Sequence, residues 1–335
     1  MPGEKLYPLK FQEIFKPKIW GGQNLKRILG KPLPRDAAIG ESWEVSDREG
    51  DISVIANGPL EGKSLREVLK SHKEEILGRK DFPPWSKNRF PLLTKFIDAQ
   101  DDLSVQVHPT DDAARHFNES DPGKTEAWVI IDVLPGARLI RGLKEATSRE
   151  DFQRLIEENR VEECLNWVEV VPGDCIFLPA GTVHALGAGI VLAEIQQNSD
   201  LTYRIWDWGR VGFDGKPRPL HIDKALEVID FSLAGPHKIT EKPLEQGPGK
   251  RKCLVECEKF ILERWEFEPG EGHYYMPESF LVLMAITGSG EIVYGQDKAE
   301  PVEKGETVLI PASIKNFILR CEEPLELIVS YLPQC

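Results

Sequence analysis

The run LSVQVHP at residues 103–109 alternates strictly between apolar and polar side chains. Side chains two apart on a strand share a face, whereas on a helix they diverge. Leu103, Val105 and Val107 therefore lie on one side of a strand, and Ser104, Gln106 and His108 on the other. After an Asp-rich connection, GKTEAWVIIDV alternates again and puts Lys124, Glu126 and Trp128 on one face. Two such strands facing each other offer an amide oxygen, an imidazole, a carboxylate and an ammonium group. That is a ligand set for a metal with a cation beside it.

A third piece lies in VVPGDCIFLPAGTVHAL, where Gly173, Pro179, Gly181 and His184 keep a G-x5-P-x-G-x2-H spacing. This spacing resembles the second cupin motif, which supplies one metal-binding His on a strand after a tight turn. Cupins are double-sheet jelly rolls. Their first motif usually offers His-x-His and a later Glu; here Gln106-x-His108 and Glu126 stand instead, so an amide replaces one imidazole.

QVHP, GKTEAW, FLPAGTVHAL and EIQQNSDLTYRIWDWGR, with KIWGG, IGESWEVS and FPLLTKFIDA, together resemble the type I mannose-6-phosphate isomerases in their short prokaryotic form. The resemblance covers most of residues 10–230. It implies a mainly β chain, a duplicated cupin-type double-stranded β-helix with a few short helices. It also implies a metal-dependent aldose–ketose isomerase that interconverts D-mannose 6-phosphate and D-fructose 6-phosphate through an enediol(ate). Gln106, His108, Glu126 and His184 are then the metal ligands, and Arg204, Lys124 and Glu194 the family-matched active-site positions. Zn²⁺ suits mixed N/O donors in an open site, and Mn²⁺, Co²⁺ or Fe²⁺ could use the same set. Moving a proton between C1 and C2 needs a base, assigned to Lys124 or Glu194 without separating them. Arg210 is assigned to the substrate phosphate, which an Arg fork suits.

Three rivals belong beside this reading. An iron-dependent cupin dioxygenase normally wants more histidines, and Gln106 argues against it. A non-catalytic sugar-binding cupin predicts a degraded first site. A cupin isomerase for another sugar phosphate, such as a cupin-type glucose-6-phosphate isomerase, is the nearest; the latter is usually a single barrel with His-x-His, and this chain has neither trait.

The chain has 335 residues, enough for two domains and a sizeable core. Its net charge of −13 argues against nucleic acid or an anionic membrane as partner. An anionic hexose phosphate remains possible only where Lys and Arg gather locally. No apolar run approaches a membrane span and MPGEKLYPLK has no signal-peptide core, so the expectation is a cytoplasmic monomer or homodimer. The six cysteines are expected reduced; Cys253-x3-Cys257 is a weak soft-metal candidate and reads better as plain strand.

Elsewhere the pattern reads as scaffold. Trp20 beside two glycines looks exposed, and Trp43 in ESWEVS packs at a sheet edge. Ser64 caps a helix with Leu65, Val68, Leu69, Ile76 and Leu77 on its apolar face, leaving His72 solvated. A short helix starts after Thr110 and contains His116. Ser148 opens one or two helices through to NWVEV, with Phe152, Leu155 and Ile156 inward. VLAEIQQ and LTYRIWDW read as a hairpin around Asn198-Ser199-Asp200 that brings Glu194 to Arg204. A helix follows near His221. Residues 236–250 form a linker between a catalytic domain (1–235) and a second cupin-like domain (251–335). There KGETVLIPASIKNFIL repeats the Gly–Pro spacing at Gly305 and Pro311, but Ser313 and Asn316 replace Gly181 and His184, so this copy has no metal site. TGSGE reads as a hairpin turn.

Overall fold

The computed structural model describes residues 5–233, 241–244, 249–296 and 298–334. Its first half is two antiparallel sheets. The strands used below are β1 (Ile14–Gly22), β2 (Ile39–Val45), β3 (Leu92–Ala99), β4 (Val105–Val107), β5 (Glu126–Val133), β6 (Arg138–Leu143), β7 (Leu165–Glu169), β8 (Cys175–Leu178), β9 (His184–Ala185), β10 (Ile190–Gln197) and β11 (Tyr203–Trp206). One sheet runs β8-β5-β10-β3-β2-β1 and the other β7-β6-β9-β4-β11. Helices are α1 (Asn24–Leu29), α2 (Leu65–Leu77), α3 (Asp111–His116), α4 (Arg149–Glu157) and α5 (Ile222–Val228).

Three apolar layers fix these sheets. Between them, Ile97, Trp128, Ile130 and Leu192 of the six-stranded sheet meet Leu139, Val168 and Leu186. The outer face of the five-stranded sheet, including Val105 and Val107, is covered by Phe152 of α4 and Leu226 of α5. Val105 and Val107 therefore pack under helices, and Gln106 points between the sheets. The outer face of the six-stranded sheet, with Phe96, Val129 and Ile195, packs on Leu262, Val282 and Ile328 of the second half. Consequently every residue of β3 and β10 is buried.

The second half pairs a seven-stranded sheet with a four-stranded one around its own core. Strand Leu9–Lys10 joins this larger sheet by pairing with Thr307–Ile310. The Gly–Pro repeat is realised in both halves: Gly173 (φ 93°) precedes β8 and Gly305 (φ 86°) precedes Thr307–Ile310, each strand running into a proline. His184 is buried, whereas Asn316 at the matching place is exposed. Most of the 236–250 linker lies outside the described residues. Lys242–Leu244 is an edge strand on Lys250–Glu256 rather than connecting chain.

The helix starts agree with the capping reading. Ser64 makes a full capping box with Glu67, and Thr110 and Ser148 accept from Ala113 N and Asp151 N. Four expectations need correction. Residues 165–169 are strand β7, because they pair with β6 instead of continuing α4. Trp20 is buried in the inter-sheet core, and β2, which carries Trp43, lies inside its sheet with β1 outside it. β10 and β11 are no hairpin: β10 pairs with β3 and β5, and β11 with β4 in the opposite sheet. Likewise Leu281–Thr287 and Ser289–Tyr294 sit in different sheets, so TGSGE is a corner. In the last two cases the turn residues are where expected, but the strand that follows joins the opposite sheet and the chain crosses the sandwich.

Among the described residues no helix is long and apolar enough to cross a membrane. The corner at Gly288 gives a direct test of the architecture. Its φ is 74° and an added Cβ would stand 2.0 Å from Pro324 O. Gly288→Ala is expected to destabilise by roughly 2 kcal/mol or more, read as a lower midpoint in urea unfolding with bound metal unchanged.

Candidate active site

β4 and β9 are neighbours with His184 opposite Gln106, and Glu126 opens β5 in the facing sheet. The turn before β9 is tied back by Gly181 N, which donates to His108 O at 2.8 Å. Local alternation and this turn bring ligand atoms of His108, Glu126 and His184 within 4.8 Å of one another. Glu126 Oε2 is 3.5 Å from His108 Nε2, and Oε1 is 3.3 Å from His184 Nε2. The Gln106 amide meets His184 Nε2 at 3.3 Å, and a 180° amide flip presents Oε1 at the same place.

Both rings are fixed from behind. His108 Nδ1 is 2.8 Å from Leu201 O and His184 Nδ1 2.9 Å from Thr182 O, contacts that place the proton on Nδ1 and the lone pair on Nε2. Burial, and then the Lys124 charge, holds His108 well below its ordinary range; burial holds His184 down at about 4. Both imidazoles are therefore neutral at pH 7 and ready to ligate. Burial pushes Glu126 above the usual carboxylate range against the pull of Lys124. Its Oε1 receives no hydrogen bond, and Lys124 Nζ stands 2.7 Å from Oε2. A fully buried carboxylate with an orphaned oxygen, faced by two imidazole lone pairs, fits a divalent cation.

Gln106 and Lys124 form the floor of a cavity of about 290 Å³ in front of this set. Five cationic side chains line it (Lys18, Lys95, Lys124, Arg204 and Arg218) against three carboxylates (Glu41, Glu194 and Asp200). An acidic chain thus gathers positive charge at one place, as an anionic ligand requires.

Glu194 accepts from Trp128 Nε1 at 2.9 Å and pairs with Lys95 Nζ at 2.9 Å. Burial opposes its ionisation, but Lys95 and Lys124 outweigh that and hold it below the usual range. Glu41 is similar: burial opposes, yet Lys95 and Lys18 bring it down to about 2. Trp43 Nε1 also donates to Glu41 at 2.6 Å. Glu194 and Arg204 line the same cavity from opposite sheets, without the expected cross-hairpin pair. Arg204 Nε donates to Ser104 Oγ at 3.2 Å and Nη1 to Pro219 O at 3.1 Å. The His221 main-chain N donates to Arg204 O, and its Nδ1 accepts from Arg204 N.

Arg210 is not among the cavity-lining residues; it pairs with Asp207 at 3.0 Å and Asp101 at 3.3 Å. Arg218 occupies the wall beside Arg204, its Nε donating to Asp207 Oδ2 at 2.7 Å. Sequence reasoning missed Lys95, Glu41, Asp200 and Arg218. A lysine flanked by Leu92, Leu93, Phe96 and Ile97 in the strand-like run LLTKFIDA was a readable signal for Lys95. Arg218 had none, since it arrives from a loop. His116 is exposed, and Cys253 and Cys257 belong to no metal-ligand cluster among the described residues.

Facing antiparallel sheets with a cation-lined cavity and, among the described residues, one buried His–Glu–His set able to hold a metal define a cupin. The chain belongs to the type I phosphomannose isomerases. Residues 8–127 match "Phosphomannose isomerase type I, catalytic domain" and residues 250–332 match "Mannose-6-phosphate isomerase, cupin domain". Mannose-6-phosphate isomerase ManA of Bacillus subtilis is 38% identical over 97% of this chain and 99% of its own. The crystal structure of the mannose 6-phosphate isomerase from Bacillus subtilis aligns with a TM-score of 0.88 at 36% identity, covering 96% of this chain and 99% of that one. A zinc-bound mannose 6-phosphate isomerase shares the fold with a TM-score of 0.79 at 17% identity, covering 98% of this chain and all of that one.

The Glu41 cluster sets an acid limit. A carboxylate lowered from 4.5 to about 2 contributes stability that is fully present above pH 4.5 and is lost as pH falls through about 2. Glu41→Gln is expected to flatten the stability-versus-pH slope over that window, measured by urea unfolding at stepped pH.

Proposed function

We propose that the protein interconverts D-mannose 6-phosphate and D-fructose 6-phosphate by proton transfer between C1 and C2, with one Zn²⁺ held by Gln106, His108, Glu126 and His184. The observation that carries this is the juxtaposition of the buried His–Glu–His set with a cavity wall carrying Arg204 and Arg218. The mixed N/O donors favour zinc, the ion in the zinc-bound structure of the same fold. When bound, the ion supplies Lewis-acid polarisation of the sugar oxygens.

The chain's own groups divide the remaining work. Lys124 or Glu194 carries the proton from C2 to C1 through the enediol(ate). Glu194 is already engaged by Trp128 and Lys95, which favours Lys124. Lys124, 2.7 Å from Glu126 Oε2, is placed to take the proton released as the C2–H bond breaks and to return it to C1 of the enediol(ate). Lys95 keeps Glu194 ionised, and the pair orients the sugar hydroxyls. Arg204 and Arg218 meet the phosphate. Arg210, expected there from the sequence, braces Arg218 through Asp207.

The test is a coupled assay on purified protein before and after chelation, with bound metal quantified and a panel of hexose phosphates as substrates. Mannose 6-phosphate activity should vanish on chelation, return with Zn²⁺, and fall at least about 100-fold in His184→Ala. Stoichiometric metal with no turnover of any hexose phosphate would overturn the catalytic reading. Arg218→Ala should raise KM roughly 10-fold with kcat within about threefold of the parent, while Arg210→Ala changes KM less.

A further inference from the structure

Lys124 does not sit on regular strand. Residues 122–125 precede β5 outside its strand pairing, so hydrogen bonds from other elements, main-chain and side-chain, fix their main chain, among them Gln197 N to Thr125 O at 3.1 Å. Lys124 N donates to Pro109 O at 3.1 Å. On one side of it, Gly123 N donates to Asp111 Oδ1 at 2.8 Å. On the other, Thr125 N donates to Gln197 Oε1 at 3.0 Å, and Gln197 Nε2 donates to the same Asp111 Oδ1 at 3.0 Å. The segment lies flat against the start of α3: a Cβ on Gly123 would stand 2.5 Å from Asp111 N. One carboxylate oxygen thus holds Gly123 directly and Thr125 through the Gln197 amide, the two residues that flank Lys124.

The other oxygen of Asp111 faces the second half. Lys259 Nζ, from the connection between Lys250–Glu256 and Ile261–Phe267, is 2.7 Å from Oδ2. The same ammonium lies 5.5 Å from the Trp85 ring centroid. Neighbouring Glu258 is almost fully exposed and 4.0 Å away, so Asp111 is its close partner. Asp111 and Lys259 border a cleft of about 540 Å³, which lets water reach the pair when either side chain is replaced.

We propose that Lys259 and Asp111 are positioning residues for the isomerisation, through which the metal-free second half holds Lys124 against Glu126 and His108. The proposal rests on Lys124 taking part in the reaction as argued above. An ammonium 2.7 Å from Glu126 and 3.0 Å from His108 has little tolerance for drift. Displacement of about 1 Å at such a group can cost two orders of magnitude in rate. The contact assigns the second half a part in catalysis that needs no ligand of its own.

The experiment uses the full chain with Zn²⁺ bound, in Lys259→Met, Lys259→Arg, Asp111→Asn, Asp111→Ala and the double variant K259M/D111N. Two readouts are taken: amide hydrogen exchange at Gly123 and Thr125, and kcat, KM, bound metal and Tm. In Lys259→Met, both amides should lose about tenfold in protection. Its kcat should fall about 5- to 20-fold, with KM and metal content unchanged and Lys259→Arg restoring most of the loss. Asp111→Asn keeps an acceptor and should match Lys259→Met, and the double variant should be no worse than either. Asp111→Ala should be worse. Unchanged protection in Lys259→Met and Asp111→Asn would overturn the clamp whether or not the enzyme is active. Lost protection with kcat within twofold of the parent, or a rate loss that tracks Tm or metal content, would overturn the positioning role. A parent protein that turns over no hexose phosphate would instead overturn the functional reading, leaving the exchange result to judge the clamp.

Discussion

A strand buried along its whole length can carry a charge only if a partner is buried with it. In the six-stranded sheet β3 and β10 are in that position, with the five-stranded sheet on one face and the second half on the other. Lys95, Glu126 and Glu194 all stand on it and all are buried. Lys95 joins Glu194 and Glu41, and Glu126 meets Lys124 and two imidazoles. The polar end of the sandwich interior follows from this constraint. Removing any one partner strands a charge that water reaches poorly.

The same double burial joins the two halves through a shared core. Phe96, Val129 and Ile195 contribute to a core completed by Leu262, Val282 and Ile328. Strand Leu9–Lys10 crosses over to pair with Thr307–Ile310, and Arg264 reaches back to donate to Gly173 O at 2.5 Å. The second half therefore covers the sheet that holds Glu126, and it touches the turn that leads into β8. A sheet needing cover on both faces gives the second half a structural role in burying the strands that carry the site.

The electrostatic division inside the site follows from distance and burial. Glu126 and Glu194 are both enclosed, yet burial wins at Glu126 and the lysines win at Glu194. Two carboxylates of one sheet are thereby set to different tasks: one short of positive charge and suited to a cation, the other ionised and locked in place. At the rim, Asp207 gathers Arg210 and Arg218 and turns only the latter toward the cavity.

The alternation in LSVQVHP and GKTEAWV was enough to place Gln106 with His108 and Lys124 with Glu126, because strand periodicity is local. The Gly173–Pro179–Gly181–His184 spacing likewise fixed a turn and a buried imidazole, and Ser64, Thr110 and Ser148 marked helix starts through hydrogen bonds made within four residues. Which sheet a strand joins is not local. Asn198-Ser199-Asp200 and TGSGE are good turns for a hairpin, yet both became corners, because each following strand pairs in the opposite sheet, with partners distant in sequence. The same is true of Trp20, of Lys95 and Glu41, and of Arg218. Their sequence neighbours do not show that they meet at one cavity, because Lys18, Glu41, Lys95 and Glu194 come together only across separate strands. Sequence determined which side chains share a face; the packing of sheet against sheet decided which faces meet.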